Sequence, residues 1–423
     1  MSSQRLLSLP HTGMTGTSAW KGPGVDLTHL YDPLDFRTLV DPYPLYAELR
    51  ARTPVFWHET MRSWVLLTYR DCRDVLRNHE DFARDRRRIG EEVPEFRQSL
   101  QSLDPPAQKP LRSLLMNSFR QQNPVEIARR ARSHIHTLFN RLADREQFDW
   151  MRDVAAPVAL RVTAELLGVE EPNGAEYAEI SDGIARRMDA GLVPDRAGVG
   201  DRARHQLNRL VENWLGAEER PGVLADVRRD AERARVPEHY IRNTTGVMFN
   251  ASYGTIFATA GNVVLTLLRH PEVLAALHRD ESLLPTAVDE LIRYDGPAQG
   301  TSRVAVKRMV VSGTVIEPGE VVLTLLAAAN RDPDQFAHPD RLVLDRAPNQ
   351  HLSFGWGPHA CLGALFGRAA IRELVLGLLH APRPLTLAGT PTRRPTATVR
   401  TIDTLPVTFR SESGAEALAA GRR

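Results

Sequence analysis

Cysteine is almost absent from this 423-residue sequence, which contains only Cys72 and Cys361. A disulfide framework is therefore excluded, and a reducing cytoplasm is the expected environment. An excess of one charge is also lacking, because 54 Lys and Arg residues stand against 52 Asp and Glu residues. The composition thus gives no indication of nucleic acid or of an anionic membrane as a partner.

Long apolar runs are scarce as well. The run within residues 1–10 is too short for a signal peptide. The longest uncharged stretch, 26 residues between Arg242 and Arg269, could cross a bilayer by its length. Asparagine, threonine, serine and three glycines interrupt it, so a helix buried in protein explains the composition better than a membrane span, which is the alternative.

Helical periodicity prevails along the chain. The Gly-, Ser- and Ala-rich residues 1–25 and 411–423 are expected to be disordered ends of a single domain over residues 26–410. The predicted helices are 44–50, 70–78, 110–119, 124–142, 154–167, 206–217, 238–268, 273–279, 285–294 and about 361–380. Short β-rich runs are predicted at 304–311, 315–316 and 321–325. The pattern predicts a mainly α fold with a minor β region and not an alternating βαβ fold.

A glycine-rich turn places a cysteine at the predicted start of the last long helix. The segment 354–363 reads FGWGPHACLG, with Cys361 near its end. Free backbone N–H groups and the positive dipole end of a helix would point at the sulfur, lower the pKa of the thiol and favour the metal-binding thiolate. The glycines would let the backbone lie close to a flat ligand. Two alternatives are a dinucleotide fingerprint at 355–360, which no βαβ unit supports, and a buried structural cysteine.

This segment resembles the haem-binding loop of the cytochromes P450, whose pattern Phe354, Gly357, His359, Cys361 and Gly363 fill at every position. The resemblance implies the cytochrome P450 fold, with haem b between a long distal helix and the cysteine-bearing proximal helix. By the same resemblance, Cys361 is the axial thiolate ligand of the iron, Phe354 shields the sulfur and His359 meets a haem propionate. A thiolate ligand pushes electron density onto iron and favours O–O cleavage.

Further motifs of the family occur in the expected order between about residues 42 and 378. Glu290 and Arg293 match its Glu-x-x-Arg motif, and Arg341 matches the arginine that completes this structural triad. The next matches concern the haem propionates. Arg303 and Arg112 occupy propionate-binding positions, and Gln108 stands where a histidine is common.

The predicted distal helix departs from the family pattern. Its window is Ala251-Ser252-Tyr253-Gly254-Thr255, in which Thr255 keeps the usual threonine but Gly254 replaces the acid of the proton relay. Protons could then come from water or substrate, or from an acid on another loop. Alternatively, peroxide could replace dioxygen, or the reaction could need no complete O–O scission with oxygen insertion. Ser252 and Thr255 could instead bond to their own helix backbone, and the roles of Tyr253 and Asn250 stay open.

Three regions are expected to shape specificity, 83–103, 176–215 and 297–300. The first carries a charge run, most simply a solvated surface and alternatively a gate for an anionic or carrier-tethered substrate; its members are Arg84, Arg86, Arg87, Arg88, Glu91, Glu92 and Glu95. Cys72 lies on a charged helix and is expected to be incidental.

Three functions follow from the resemblance. The first is a monooxygenase that hydroxylates a small specialised metabolite, with electrons from a separate ferredoxin and its reductase, because no flavin or iron–sulfur module follows Cys361. The second is atypical oxidation on the same fold, namely C–C, C–N or C–O coupling, ring closure or nitration. The third is a non-catalytic haem sensor.

Overall fold

Helices dominate the computed structural model of the protein, which describes residues 30–409. The predicted disordered ends, 1–25 and 411–423, lie outside the described residues. The α-helices are α1 (Phe36–Val40), α2 (Tyr43–Arg52), α3 (Tyr69–Arg77), α4 (Lys109–Gln121), α5 (Pro124–Leu142), α6 (Ala156–Leu167), α7 (Gly174–Met188), α8 (Arg196–Gly216), α9 (Val223–Ala234), α10 (Glu238–Arg269), α11 (Pro271–Arg279), α12 (Leu284–Tyr294), α13 (Leu326–Ala329) and α14 (Ala364–Leu379).

The strands within the same residues are short. They are β1 (Val55–His58), β2 (Ser63–Leu66), β3 (Phe82–Ala83), β4 (Phe148–Asp149), β5 (Thr301–Ala305), β6 (Met309–Val311), β7 (Thr314–Ile316), β8 (Val321–Thr324), β9 (Leu385–Leu387), β10 (Thr392–Arg393), β11 (Ile402–Thr404) and β12 (Pro406–Phe409). The largest sheet has the order β1-β2-β8-β5-β3, with β2 and β8 parallel. The predicted run 304–311 is two strands, and β5 brings Arg303 opposite Val322 of β8.

The sequence of α5 shows why the helix predictions are accurate where the local signals are strong. The Asn123 side chain accepts hydrogen bonds from the N–H groups of Val125 and Glu126, and Pro124 occupies the first turn. Apolar residues then recur three or four positions apart and pack α5 against α14. The predicted bounds, 124–142, are confirmed.

The helix predicted at 206–217 begins ten residues earlier, as α8. Its first half contains Gly198 and Gly200 among polar residues, which weakens the apolar repeat. Gly200 has a packing role, because a Cβ there would overlap the side chain of Arg187 on α7. A Cβ at Gly183 would likewise lie 2.7 Å from the Cβ of Ala203. Small residues therefore let α7 and α8 cross at close range.

The long uncharged stretch forms α10, the central helix. By length and composition α10 could cross a membrane, but 72% of its apolar window is buried inside the protein. It packs against α6, α8 and α14 in the largest hydrophobic core. It is therefore placed as the core helix that the sequence predicts.

A buried carboxylate joins α12 to the irregular segment that precedes Cys361. Glu290 accepts hydrogen bonds from Arg293 at 2.8 Å and from Arg346 Nε at 3.0 Å. The backbone N–H of Val343 donates to it at 2.9 Å, and the Asn349 amide donates at 3.2 Å. Both Glu290 and Arg293 are fully buried, and these hydrogen bonds offset the desolvation of the two charges.

Arg346, and not Arg341, completes this triad, so the sequence prediction for Arg341 is wrong. The side chain of Arg341 is exposed, and its carbonyl oxygen accepts a hydrogen bond from Arg293 at 3.2 Å. The side chain of Arg346 is 8% exposed and lies against Glu290. Irregular backbone has no side-chain periodicity, so the sequence alone could not decide which of the two arginines points inward.

The two arginines provide a matched test of the triad. We expect Arg346→Ala to lower the free energy of unfolding by about 3 kcal/mol, because it leaves part of a buried carboxylate unpaired. Arg341→Ala should change it by no more than about 0.5 kcal/mol, as an exposed substitution does. Urea denaturation of both variants measures the difference; equal losses would contradict the assignment.

Candidate active site

A cavity of about 360 Å³ lies between α10 and the loop that carries Cys361. Eight residues of α10 between Thr244 and Thr259 line this cavity, and so do residues 353–355 and 359–363. Thr301 and Arg303 of β5 also line it. The lining is mostly apolar, which suits a large, flat organic ligand more than a small polar one.

Two glycines fold the loop 354–363. Gly355 and Gly357 have φ angles of +68° and +70°, a region that glycine adopts without strain. The N–H of Cys361 donates to the carbonyl oxygen of Phe354 at 2.8 Å and closes the loop. Gly357 does not line the cavity: a Cβ there would lie 2.8 Å from the carbonyl oxygen of Leu76, so this glycine lets the loop pack against α3. The structure thus gives Gly357 a packing position, in contrast to the predicted contact with the ligand.

Cys361 lies three residues before α14 begins at Ala364. Cys361 is solvent-accessible and lines the cavity. Burial raises the pKa of the thiol, and the opposing effects of the Gly363 N–H, Arg368 and Arg112 do not offset it. The Gly363 N–H acts in the direction that the helix start predicts, but desolvation by the surrounding protein is the larger effect. A coordinated cation would deprotonate the thiol outright.

His359 is held between two polar side chains. Its Nε2 lies 2.9 Å from a carboxylate oxygen of Asp104, and its Nδ1 lies 3.1 Å from the amide nitrogen of Gln108. Burial lowers the pKa of His359 to about 4, against the opposing hydrogen bond to Asp104. Burial raises the pKa of Asp104, but the hydrogen bonds from His359 and from the N–H groups of Asp85 and Arg84 outweigh this and hold it at about 2. At neutral pH the imidazole is therefore neutral, donates from Nε2 and accepts at Nδ1.

Arginine side chains bring a surplus of positive charge to the cavity. Burial and the nearby Arg84 lower the pKa of Arg303 to about 9, against a weaker attraction to Asp104. Arg112 donates to the carbonyl oxygen of Ala360 at 2.8 Å. Within residues 30–409, no Asp or Glu lines the cavity beside these arginines. The site is thus prepared for an anionic ligand group.

Three predicted residues of α10 face the cavity: Ala251, Ser252 and Thr255. The Thr255 hydroxyl donates to the carbonyl oxygen of Ala251 at 2.7 Å, the bond within the helix that was the alternative to a functional role. The Ser252 hydroxyl instead lies 2.9 Å from that of Thr163 on α6. Both hydroxyl-bearing residues therefore line the cavity, and each hydroxyl also forms a hydrogen bond within the protein.

Gly254 points away from the cavity. A Cβ at Gly254 would lie 3.6 Å from the Ser181 hydroxyl on α7, in ordinary contact. Tyr253 is buried, with its ring centroid 4.9 Å from that of Tyr177 and 5.9 Å from that of Phe257. An acid at position 254 would thus extend behind α10, toward α7.

Comparison with known proteins identifies this architecture. The Cytochrome P450 family model matches residues 220–381. The cytochrome P450 monooxygenase PikC of Streptomyces venezuelae is 31% identical over 387 residues, which are 88% of this chain and 91% of PikC. The chain belongs to the cytochrome P450 family. Its members are haem-thiolate oxidoreductases.

Two solved P450 structures share the fold. CalO2 has a TM-score of 0.81 and 28% sequence identity, over 90% of this chain and 98% of CalO2. P450BioI, in a complex with an acyl carrier protein ligated to hexadec-9Z-enoic acid, has a TM-score of 0.77 and 27% identity. That likeness covers 88% of this chain and all of P450BioI. The predicted P450 fold is confirmed.

The residues that line the P450 cavity suit a haem. A sulfur lies on one wall, the walls are apolar, and buried guanidinium groups without an adjacent free carboxylate stand ready for anionic propionates. The predicted residues at the cavity are Ala251, Ser252, Thr255, Arg112, Gln108, Arg303, Phe354, His359, Cys361 and Gly363.

Sequence reasoning missed two residues of the haem-side network. Arg84 lines the cavity, whereas Arg86, Arg87 and Arg88 are exposed as the solvated charge run predicts. Asp104 organises His359 and the backbone at 84–85. The position of Arg84 directly after β3 is the one signal that separates it from its neighbours, since a strand fixes the side from which the next side chain emerges.

Proposed function

We propose that this P450 is a monooxygenase that hydroxylates a small specialised metabolite, with Cys361 as the axial ligand of haem b. The observation that carries the proposal is that Cys361 lines the same cavity as Ala251 and Thr255 of α10. The similarity to PikC, a cytochrome P450 monooxygenase, supports this type of reaction. The haem supplies the oxidative chemistry, activating dioxygen for transfer of one oxygen atom.

Residues on two sides of the cavity would hold the haem. Cys361 would bind the iron, and Phe354 would shield the sulfur. Arg112 and Arg303 would donate charge-assisted hydrogen bonds to the propionates. In these contacts the anionic propionates would neutralise the positive charge of the arginines at the cavity. The remaining members of the haem site are His359, Gln108, Gly357 and Gly363, with Gly357 acting through the packing of the loop.

Proton delivery would begin at Thr255 and Ser252. The Thr255 hydroxyl can turn from the Ala251 carbonyl oxygen toward the cavity and pass its proton to a water molecule there. Ser252 has Thr163 as a second hydroxyl, so the pair can relay a proton without a carboxylate. Since no described Asp or Glu lines the cavity, water or substrate must resupply these hydroxyls.

The same absence supports a second candidate function. Position 254 is a glycine and not an acid, and no carboxylate of residues 30–409 lines the cavity. An oxidation that consumes fewer protons therefore suits the site. Oxidative coupling, ring closure or nitration meet this condition. A non-catalytic haem sensor is the third candidate.

We further propose a separate ferredoxin and its reductase as the electron donors, and a cytoplasmic location without a membrane or nucleic-acid partner. The core position of α10 supports that location. The complex of P450BioI with an acyl carrier protein supports a carrier-tethered substrate as an alternative to a free one.

Labelled dioxygen separates the candidate functions. Haem-loaded protein is incubated with ferredoxin, reductase and candidate substrates, and the product is analysed by mass spectrometry. We expect one labelled oxygen atom in the product. Turnover without label would favour coupling or ring closure, and electron uptake without product, or no uptake, would favour a sensor.

The thiolate assignment is tested by Cys361→Ser. In the native protein the reduced complex with carbon monoxide should show the absorption band after which the family is named, because a thiolate ligand produces that band. We expect the variant to lose this band, and Cys72→Ser, the control, to keep it. Retention of the band in Cys361→Ser would contradict the assignment.

Gly254→Asp tests the missing acid. A Cβ at position 254 makes only an ordinary contact, 3.6 Å from the Ser181 hydroxyl. The new carboxylate would extend behind α10 and would act by resupplying protons from that side, so we expect the ratio of product to dioxygen consumed to change by about twofold or more. Gly198→Asp on α8 is the control. An unchanged ratio and rate would show that position 254 has no influence on proton supply.

A further inference from the structure

A second chamber adjoins the haem cavity on the side of α7 and α8. It has a volume of about 430 Å³ and shares Arg84, Gln101, Val247 and Arg303 with the haem cavity. The chamber is rich in positive charge, with six arginines against three carboxylates. The charged lining residues are Arg84, Arg86, Arg97, Arg187, Arg204, Arg303, Glu91, Glu92 and Asp201.

Most of these charges already have an assigned partner. Arg86 pairs with Glu91 at 2.8 Å, and Arg303 is assigned to a haem propionate. Asp201 pairs with Arg187 at 2.7 Å and lies 3.8 Å from Arg97. One carboxylate therefore serves two arginines.

Three charged residues of the chamber remain, Arg84, Glu92 and Arg204, and Arg84 is attracted to Asp104. Arg204 is partly buried, and its Nε is fully buried without a hydrogen-bond partner within residues 30–409. Burial lowers the pKa of Arg204, and the nearby cations Arg187 and Arg97 lower it further. An arginine nevertheless stays charged at neutral pH, so the cost of its burial persists.

The backbone is built to keep these cations together. Gly200 brings α8 against Arg187 of α7, and the contact between Gly183 and Ala203 draws the helices together one turn away. A larger residue at position 200 would displace Arg187. Close packing thus holds like charges side by side, an arrangement that a bound anion would stabilise.

We propose that this chamber binds an oxyanion group of the substrate, a carboxylate or a phosphate, through Arg204 with help from Arg187 and Arg97. The apolar body of the substrate then extends past Val247, which lines both spaces, into the haem cavity. The proposal rests on the proposed monooxygenase function, because it names the class of substrate that this enzyme takes.

Three matched probes test the proposal in the haem-loaded protein: dodecanoate, dodecyl phosphate and 1-dodecanol. Isothermal calorimetry and the shift of the Soret band give the dissociation constants. We expect the better anion to bind at least about tenfold more tightly than the alcohol, as hydrogen bonds to charged groups allow. The order of the two anions distinguishes a carboxylate on a free substrate from a phosphate on a carrier arm.

Substitutions in the chamber should change the affinity for the two anions and not the affinity for the alcohol. Arg204→Gln should weaken anion binding about tenfold and leave 1-dodecanol unchanged. Asp201→Asn should strengthen anion binding, because it removes the carboxylate that competes for Arg187 and Arg97. Arg202→Gln, at an exposed position on α8, is the control and should change neither.

Thermal unfolding separates binding from a structural role. We expect Arg204→Gln to keep or raise the Tm, since it removes a partly buried cation whose Nε has no hydrogen-bond partner within residues 30–409. Equal affinities for anion and alcohol, no binding of either anion, or an Arg204→Gln variant within twofold of the native affinity would each overturn the proposal. Because calorimetry needs no turnover, anion binding that depends on Arg204 would stand even if no labelled product formed and the monooxygenase proposal failed.

Discussion

The position of the loop 354–363, which carries Cys361, depends on one buried carboxylate. Glu290 holds four donors, three of them from the irregular segment that ends in the loop 354–363. Irregular backbone has little stability of its own, so the segment needs a fixed point that α12 supplies. The Asn330 side chain extends the same connection, because it accepts from the N–H of Leu352 at 2.7 Å. Through these bonds Glu290 and Asn330 fix the segment that leads to the loop 354–363.

The cavity is asymmetric in charge. Buried arginines stand on the side of the predicted propionates, whereas the α10 side has hydroxyls and no described carboxylate. On the arginine side, the negative charge of the bound propionates would offset the positive charge of the guanidinium groups. The hydroxyl side limits how quickly protons arrive, since a hydroxyl carries a proton only if another group replaces it. The same fold could thus bind haem in the ordinary way and still favour an oxidation with a different proton demand.

The sequence predicted what local patterns determine. The long α10 follows from its uncharged stretch, whereas the loop motif and the pair Glu290–Arg293 were identified by resemblance to the family. Spacing alone would have placed that pair on the surface, but the structure buries it. Predictions about the direction of a side chain in irregular backbone were weaker: Arg341 and Arg346 differ in role because of how one loop turns. The pKa of the Cys361 thiol could not be predicted from the helix start alone, since desolvation depends on the whole fold and opposes the local effect of the Gly363 N–H.

The choice of basic residue bears on the second chamber. Only three of the 54 Lys and Arg residues are lysines, so nearly every buried cation is an arginine. A lysine in place of Arg204 could lose its proton, whereas a guanidinium group keeps its charge. Asp201 and solvent at Arg97 reduce the repulsion from the neighbouring cations only in part, and a bound anion would offset the rest. A substrate with an oxyanion at one end would then be oriented before its apolar end reaches the haem, and the position of oxidation would follow from the distance between the two cavities.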